Sequence, residues 1–158
     1  MNTHSGGVKI PGSTQTGNVM SRTYDTPQDA EDAYYDALEE GDLEILLAVW
    51  DESEDIGCLL PMQPLVQGRA AVKDAFARLF ARGKGITLSV KHLSWIETDQ
   101  VAIHLVEESP QDHGPEGSPP MVVYGVNIYR LGSDGWRLVL HQNAPPPPPA
   151  GNLPPMAR

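Results

Sequence analysis

The end of the chain carries the strongest structural signal, a pair of strand-like segments followed by five consecutive prolines. Residues 121–130 and 136–143 are rich in Val, Ile and Leu, and a Ser-Asp-Gly sequence at 133–135 separates them. Such a pattern is typical of a β-hairpin. Pro145 is expected to end the second strand, because proline donates no hydrogen bond to a neighbouring strand. The hairpin therefore predicts a domain that closes with antiparallel strands.

Three segments upstream of the hairpin have the apolar spacing of helices. The first begins at Thr26, a capping residue, and ends at Gly41. The second begins at Asp42, and the third runs from Gly68 to Gly83. The acidic side chains of the first helix, among them Glu31, are predicted to lie away from its apolar face. The residues with helical apolar spacing are Ala30, Ala33, Tyr34, Ala37 and Leu38, then Leu43, Leu46, Leu47 and Trp50, then Val72, Ala75, Phe76, Leu79 and Phe80.

Strand patterns occupy most of the remaining sequence. Residues 86–97 and 100–108 precede the hairpin, and a short strand is predicted at 56–60, between the second and third helices. The order α-α-β-α-β-β-β-β predicts an α+β fold, with three helices packed on a strongly curved, mostly antiparallel sheet. A curved sheet wrapped around a long helix forms a cone, and an apolar cone is a common place for a small-molecule pocket.

Composition excludes several classes of partner. The chain has 21 acidic and 11 basic residues, a net charge of −10, which disfavours nucleic acid and anionic membrane surfaces. No apolar run approaches the roughly 18 residues of a membrane span, and the first residues lack the pattern of a signal peptide. The single cysteine, Cys58, fits a reducing compartment and is expected to be buried and unreactive. We therefore expect a cytoplasmic protein.

The two ends are predicted to lie outside the fold. Residues 1–24 are rich in Ser, Thr, Gly and Asn and are expected to be disordered. Residues 145–158 form a proline-rich tail, which suits either a polyproline docking peptide or, as we favour, a stiff terminus. The folded domain is predicted at 25–144.

Several short segments, taken together with the order of elements, resemble the nuclear transport factor two-like superfamily and, within it, the SnoaL-like branch. The resemblance covers roughly residues 25–145. It implies a cystatin-like α+β cone that pairs into homodimers through its sheet, and a group in which some members are enzymes and many are not. The segments that carry it are Trp50-Asp51, Pro61, Gly68-Arg69-Ala70-Ala71-Val72, Asn127-Ile128-Tyr129-Arg130, Gly135-Trp136-Arg137-Leu138-Val139 and His141-Gln142-Asn143-Ala144-Pro145.

The resemblance also allows a test for isomerase chemistry. A steroid-isomerase type of site needs a carboxylate base just before the proline that follows the first strand, together with a tyrosine donor from the first helix. The base position resembles Leu60, which cannot accept a proton, whereas Tyr34 or Tyr35 could serve as the donor. The branch also implies histidines near Leu60 and Gln142, and this chain departs from the pattern at both places.

Three histidines are the remaining candidates for chemistry, namely His92, His104 and His141, and His92 has the same two interpretations as His104. His104 is expected to share a strand face with apolar neighbours, which suits either a general base or a buried structural histidine. His141 alternates away from Trp136 and Leu138, so strict alternation leaves two arrangements. Either His141 faces solvent or a second subunit, or it converges with Asn127 in the cone.

These observations lead to three hypotheses. The favoured one is a dimeric pocket protein that binds a small apolar or aromatic molecule, with no cofactor and no metal site. The first alternative is a slow isomerase or cyclase that uses a pocket histidine and a tyrosine donor, and the second is a protein-interaction module. The candidate catalytic residues are His104, His141 and Tyr34, and the candidate ligand-binding residues are Trp50, Leu60, Tyr35, Asn127 and Trp136.

Overall fold

The structure, a computed structural model, describes residues 22–111 and 121–145. It confirms the predicted α+β class, with three helices packed on a six-stranded, mostly antiparallel sheet. The predicted N-terminal segment lies almost entirely, and the proline-rich tail beyond Pro145 entirely, outside the described residues. The elements are α1 (Pro27–Glu40), α2 (Leu43–Val49), β1 (Gly57–Leu59), β2 (Val66–Gln67), α3 (Arg69–Phe80), β3 (Leu88–Glu97), β4 (Val101–Pro110), β5 (Val123–Gly132) and β6 (Gly135–Ala144).

The boundaries of the first two helices follow from their capping residues. The Thr26 hydroxyl accepts a hydrogen bond from the Asp29 backbone N–H, and the Asp29 carboxylate accepts one from the Thr26 backbone in return. Gly41 ends α1 with a φ of 69°, in the left-handed region that glycine adopts without strain. Asp42 then caps α2 by accepting a hydrogen bond from the Ile45 backbone N–H. These features confirm the predicted start and end of α1 and the start of α2.

The strands follow the order β2-β1-β6-β5-β4-β3 across the sheet. All neighbours are antiparallel except β1 and β6, which run parallel. The hairpin of β5 and β6 closes through Gly132 and Gly135, which pair across the turn. Strand β2 was not predicted, because two residues are too few to show an alternating pattern.

A bulge in the last hairpin decides which side chains face the helices. Ile128 pairs with Leu140 but Tyr129 pairs with Leu138, so β6 has one extra residue at this point. Trp136 and Leu138 are buried before the bulge, and His141 is buried after it. The prediction that His141 alternates away from Trp136 and Leu138 was therefore wrong, since it assumed strict alternation along the strand.

The core lies between the apolar faces of the helices and the inner face of the sheet, the face that carries Ala102 and Tyr129. Within this layer the side chain of Glu31 is 1% exposed. The prediction that Glu31 lies away from the buried face of α1 was wrong, because the inner face of the sheet supplies polar partners that the helix pattern does not show.

Cys58 on β1 is a buried free thiol. Burial, aided by the charge of Glu108, raises the pKa of Cys58 to about 12. The thiol is therefore neutral at physiological pH and unsuited to nucleophilic chemistry. Among the described residues, no helix is both long and apolar enough to cross a membrane.

Candidate functional site

A cavity of about 400 Å³ lies between α1, α3 and the inner face of the sheet. Its outer end is exposed and carries Met62 together with two arginines, Arg78 on α3 and Arg82 just after it. Its inner end is buried and polar. The apolar walls are contributed by Leu38, Leu60, Pro61, Ala75, Leu79, Ile86, Leu88, Pro110, Met121 and Val123, and the inner end by Tyr34, Glu108, His141 and Asn143.

Glu108 is a carboxylate at the buried end of this cavity. Its Oε1 accepts a hydrogen bond of 2.7 Å from the Tyr35 hydroxyl, and its Oε2 accepts one of 2.9 Å from Asn143 Nδ2. Gly125 on the neighbouring strand makes room for the side chain, since a Cβ there would lie 2.9 Å from Glu108 Oε1. Both oxygens thus have partners, as a buried carboxylate requires.

His141 lies between two asparagines whose orientations are fixed by carboxylates. Asn127 Nδ2 donates to Glu31 and Asn143 Nδ2 donates to Glu108, so each amide turns its oxygen toward the ring. The distances are 2.6 Å from His141 Nδ1 to Asn127 Oδ1 and 3.0 Å from His141 Nε2 to Asn143 Oδ1. Both ring nitrogens of His141 therefore face amide oxygens, and each of these amides is in turn held by a buried carboxylate.

Glu31 accepts hydrogen bonds from a second group of donors, next to the contacts of His141. Its Oε2 accepts hydrogen bonds from His104 Nδ1 at 2.7 Å, Asn127 Nδ2 at 3.1 Å and the Tyr129 hydroxyl at 3.2 Å. Its Oε1 contacts His92 Nε2. Burial alone raises the pKa of the Glu31 carboxyl, but the hydrogen bonds from His104 and His92 outweigh it, so the pKa is lowered overall. Glu31 is therefore ionised at neutral pH.

Tyr34 is a buried polar residue of the cavity wall, and it lacks a hydrogen-bond partner in the part of the chain that the structure describes. Its side chain is fully buried, and its hydroxyl makes no hydrogen bond to any described residue. Its ring lies 5.2 Å from the His141 ring, measured between centroids. Burial, together with the charge of Glu108, raises the pKa of Tyr34 well above its ordinary value. The group is a phenol at physiological pH, and it can donate a hydrogen bond to a ligand.

The structure divides the residues singled out from the sequence into three groups. Tyr34, His141 and Leu60 line the cavity. Tyr35, Asn127 and His104 belong to the hydrogen-bonded network behind it. Trp50 and Trp136 are buried in the core and are not part of the cavity wall.

Three residues of the network were missed by sequence analysis, namely Glu31, Glu108 and Asn143. Glu108 follows His104 by four positions along β4, and Asn143 follows His141 by two along β6, so period-two spacing places each on its histidine's face. Glu31 precedes Tyr35 by four residues, which places both on one side of α1. These spacings were available in the sequence, although nothing in them shows that the faces are buried.

This arrangement is better suited to binding than to histidine-based catalysis. His141 has both ring nitrogens engaged by amide oxygens, so neither nitrogen is free to contact a ligand in the cavity. His104 has its free Nε2 buried and does not line the cavity. Glu108, the carboxylate of the cavity, has both of its oxygens engaged by Tyr35 and Asn143.

Comparison with known proteins agrees with this fold. The SnoaL-like domain family matches residues 28–148, whereas curated proteins give no significant match. A candidate calcium/calmodulin-dependent protein kinase type II association domain from Thiobacillus denitrificans is 31% identical, with a TM-score of 0.72 over 80% of this chain and 99% of that one. A candidate dehydratase of the NTF2-like family from Streptomyces avermitilis is 25% identical, with a TM-score of 0.65 over 74% and 91%.

A third structure, a ketosteroid isomerase-like protein from Erwinia carotovora, is 14% identical, with a TM-score of 0.61 over 77% of this chain and 94% of that one. At that identity it is evidence for the fold alone. The family match spans most of the chain, and the Thiobacillus protein is covered almost completely. The chain therefore belongs to the SnoaL-like family of the nuclear transport factor two-like superfamily.

Proposed function

We propose that the cavity binds one small, largely apolar molecule that presents a carbonyl or another hydrogen-bond acceptor to Tyr34. The observation that carries this proposal is the buried Tyr34 hydroxyl, which has no partner within residues 22–111 and 121–145 and belongs to the wall of an apolar cavity. A buried donor without a partner costs roughly 1–3 kcal/mol. A ligand acceptor would recover that free energy, which is how such a site selects its ligand.

The size and lining of the cavity support the same proposal. Its volume of about 400 Å³ is within the range of small-molecule sites, and apolar side chains form most of its wall. Arg78 and Arg82 at the outer end make no ion pair with any described residue, although the chain is strongly acidic. A ligand with an anionic group at its outer end, such as an apolar carboxylic acid, would fit this arrangement.

The hydroxyl of Tyr34 can be tested with the fluorescent naphthyl ketone prodan, which has an apolar body and one carbonyl acceptor. Tyr34→Phe removes only the hydroxyl, and we expect prodan to bind about tenfold more weakly, the value of one hydrogen bond. The emission of the bound probe should also shift to the blue, because its carbonyl loses a donor. Fluorescence titration measures both effects.

A matched control is available in Tyr24. Its hydroxyl is also buried and has no partner among the residues that the structure covers, but Tyr24 does not line the cavity. Tyr24→Phe should leave both the affinity and the emission unchanged. Equal weakening by the two substitutions, or none by Tyr34→Phe, would show that Tyr34 does not anchor the ligand.

We also propose that two copies of the chain pair through the outer face of the sheet. A row of apolar side chains crosses four strands there, since Ile96 pairs with Ile103, Ile103 with Ile128, and Ile128 with Leu140. Ile96 is 55% exposed. An apolar row of this kind is typical of a surface that another protein covers.

This pairing predicts a dimer mass in light scattering. Ile128→Lys would place a charge in the middle of the row, and we expect it to give a monomer, because an unpaired charge in an apolar interface costs several kcal/mol. Glu39→Lys on the exposed face of α1 changes charge elsewhere and should leave the dimer intact. A monomeric wild type, or a dimeric Ile128→Lys variant, would contradict the proposal.

A further inference from the structure

We propose that Glu31, His92 and His104 bind one divalent transition-metal ion, with Zn²⁺ as the ion whose ligand preferences fit best. One ligand atom from each side chain lies within 4.8 Å of the other two. The Glu31 carboxylate is central, with His104 Nδ1 2.7 Å from its Oε2 and His92 Nε2 against its Oε1. This site is separate from the cavity and does not depend on what the cavity binds.

Three elements bring these groups together. Glu31 comes from α1, His92 from the edge strand β3, and His104 from the adjacent strand β4. A bulge after His92 turns Trp95 to the same face, where its ring stacks on the His104 ring with centroids 3.6 Å apart. Asn127 and Tyr129 also donate hydrogen bonds to the carboxylate, through the oxygen that His104 contacts. Two of the three ligands are thus fixed in place before any ion arrives.

The donor set determines the class of ion. Two imidazole nitrogens and one carboxylate oxygen suit Zn²⁺ and Co²⁺, whereas Mg²⁺ and Ca²⁺ prefer oxygen ligands alone. Tetrahedral coordination with bonds of about 2 Å separates ligand atoms by roughly 3.3 Å. The ligand atoms must therefore move apart slightly, and His92 can do so because its side chain is 36% exposed. The same exposure gives an ion and a water molecule access from solvent.

One feature limits the affinity. Coordination by His104 Nδ1 moves the ring proton to Nε2, and Nε2 is buried without a partner in the described residues. A ligating histidine normally donates that proton to a carbonyl or carboxylate, and losing such a partner costs about 10- to 100-fold in affinity. We therefore expect binding in the micromolar range rather than the much tighter binding of a closed structural zinc site.

The experiment titrates the full chain, stripped with a chelator and carrying no polyhistidine tag, with CoCl₂ followed by ZnCl₂. We expect one equivalent of Co²⁺ to give the visible absorption of a tetrahedral ion, and Zn²⁺ to displace it. A rise in the melting temperature should accompany binding, since the ion would connect α1 to the edge of the sheet. His92→Gln keeps a hydrogen-bond donor for Glu31 but removes the imidazole, and it should weaken binding by at least about 100-fold.

Glu107→Gln, on the opposite face of β4, serves as the matched control and should bind Co²⁺ as the wild type does. The proposal is overturned if the wild type does not bind Co²⁺ with a Kd below about 1 mM. It is also overturned if His92→Gln binds as tightly as the wild type, because the ion would then be held elsewhere on the chain. In that case Glu31, His92 and His104 form a hydrogen-bonded cluster only.

Discussion

We expect Glu31→Ala to lower the free energy of unfolding by about 3–5 kcal/mol relative to the wild type. A loss of this size is usual when one partner is removed from a buried charged cluster. Four donors converge on the Glu31 carboxylate, from His92, His104, Asn127 and Tyr129. Without the carboxylate, His104, Asn127 and Tyr129 remain buried and lose this acceptor. Asn127 also loses the contact that orients its oxygen toward His141.

Urea denaturation followed by tryptophan fluorescence measures this loss, provided that it is done in the presence of a chelator. Glu31→Gln retains the shape and one acceptor oxygen, so we expect it to fall between the wild type and Glu31→Ala. Glu39→Ala removes an exposed carboxylate from the same helix and should change stability by no more than about 0.5 kcal/mol. Similar losses for Glu31→Ala and Glu39→Ala would mean that the network adds nothing to stability.

The sequence was sufficient to predict most of the fold, since the signals for it are local. Thr26 and Gly41 mark the ends of α1 by capping, and the turn at 133–135 places the last hairpin. Strand β2 lacked any local signal, because two residues cannot display a period. The bulge opposite Tyr129 could not be predicted either. The extra residue in β6 follows Leu138 and is as apolar as its neighbours, so the sequence pattern does not distinguish it.

The candidate site was less predictable, because its polar groups depend on partners that are distant in sequence. Glu31 and Asn127 are separated by 96 positions and meet only once α1 packs on the sheet. A glutamate in an amphipathic helix is usually exposed, so the pattern of α1 alone favours the wrong face for Glu31. His104 and His141 could be selected as unusual polar residues in apolar strands. The amide contacts on both sides of the His141 ring could not be predicted, because they form only in the folded sheet.

The second large effect concerns the cavity itself. Ala75 on α3 is a half-buried residue of the cavity wall. Ala33, which the sequence pattern places on the apolar face of the first helix, is not part of that wall. In Ala75→Trp the indole should occupy much of the cavity, so we expect the affinity for prodan to fall by more than about 100-fold. This loss is larger than the one expected for Tyr34→Phe, which removes a single hydrogen bond. Fluorescence titration measures the loss, and circular dichroism checks that the fold is retained.

Ala70→Trp provides the comparison, because Ala70 is exposed on the same helix and the substitution adds the same ring outside the cavity. It should bind prodan with wild-type affinity. Ala75→Trp should still bind Co²⁺, since the three proposed ligands lie outside the cavity wall, and this separates a blocked cavity from a damaged fold. If Ala75→Trp is folded and binds prodan as the wild type does, the probe lies elsewhere on the protein. The weakening by Tyr34→Phe would then need another cause, and the cavity would not be the binding site.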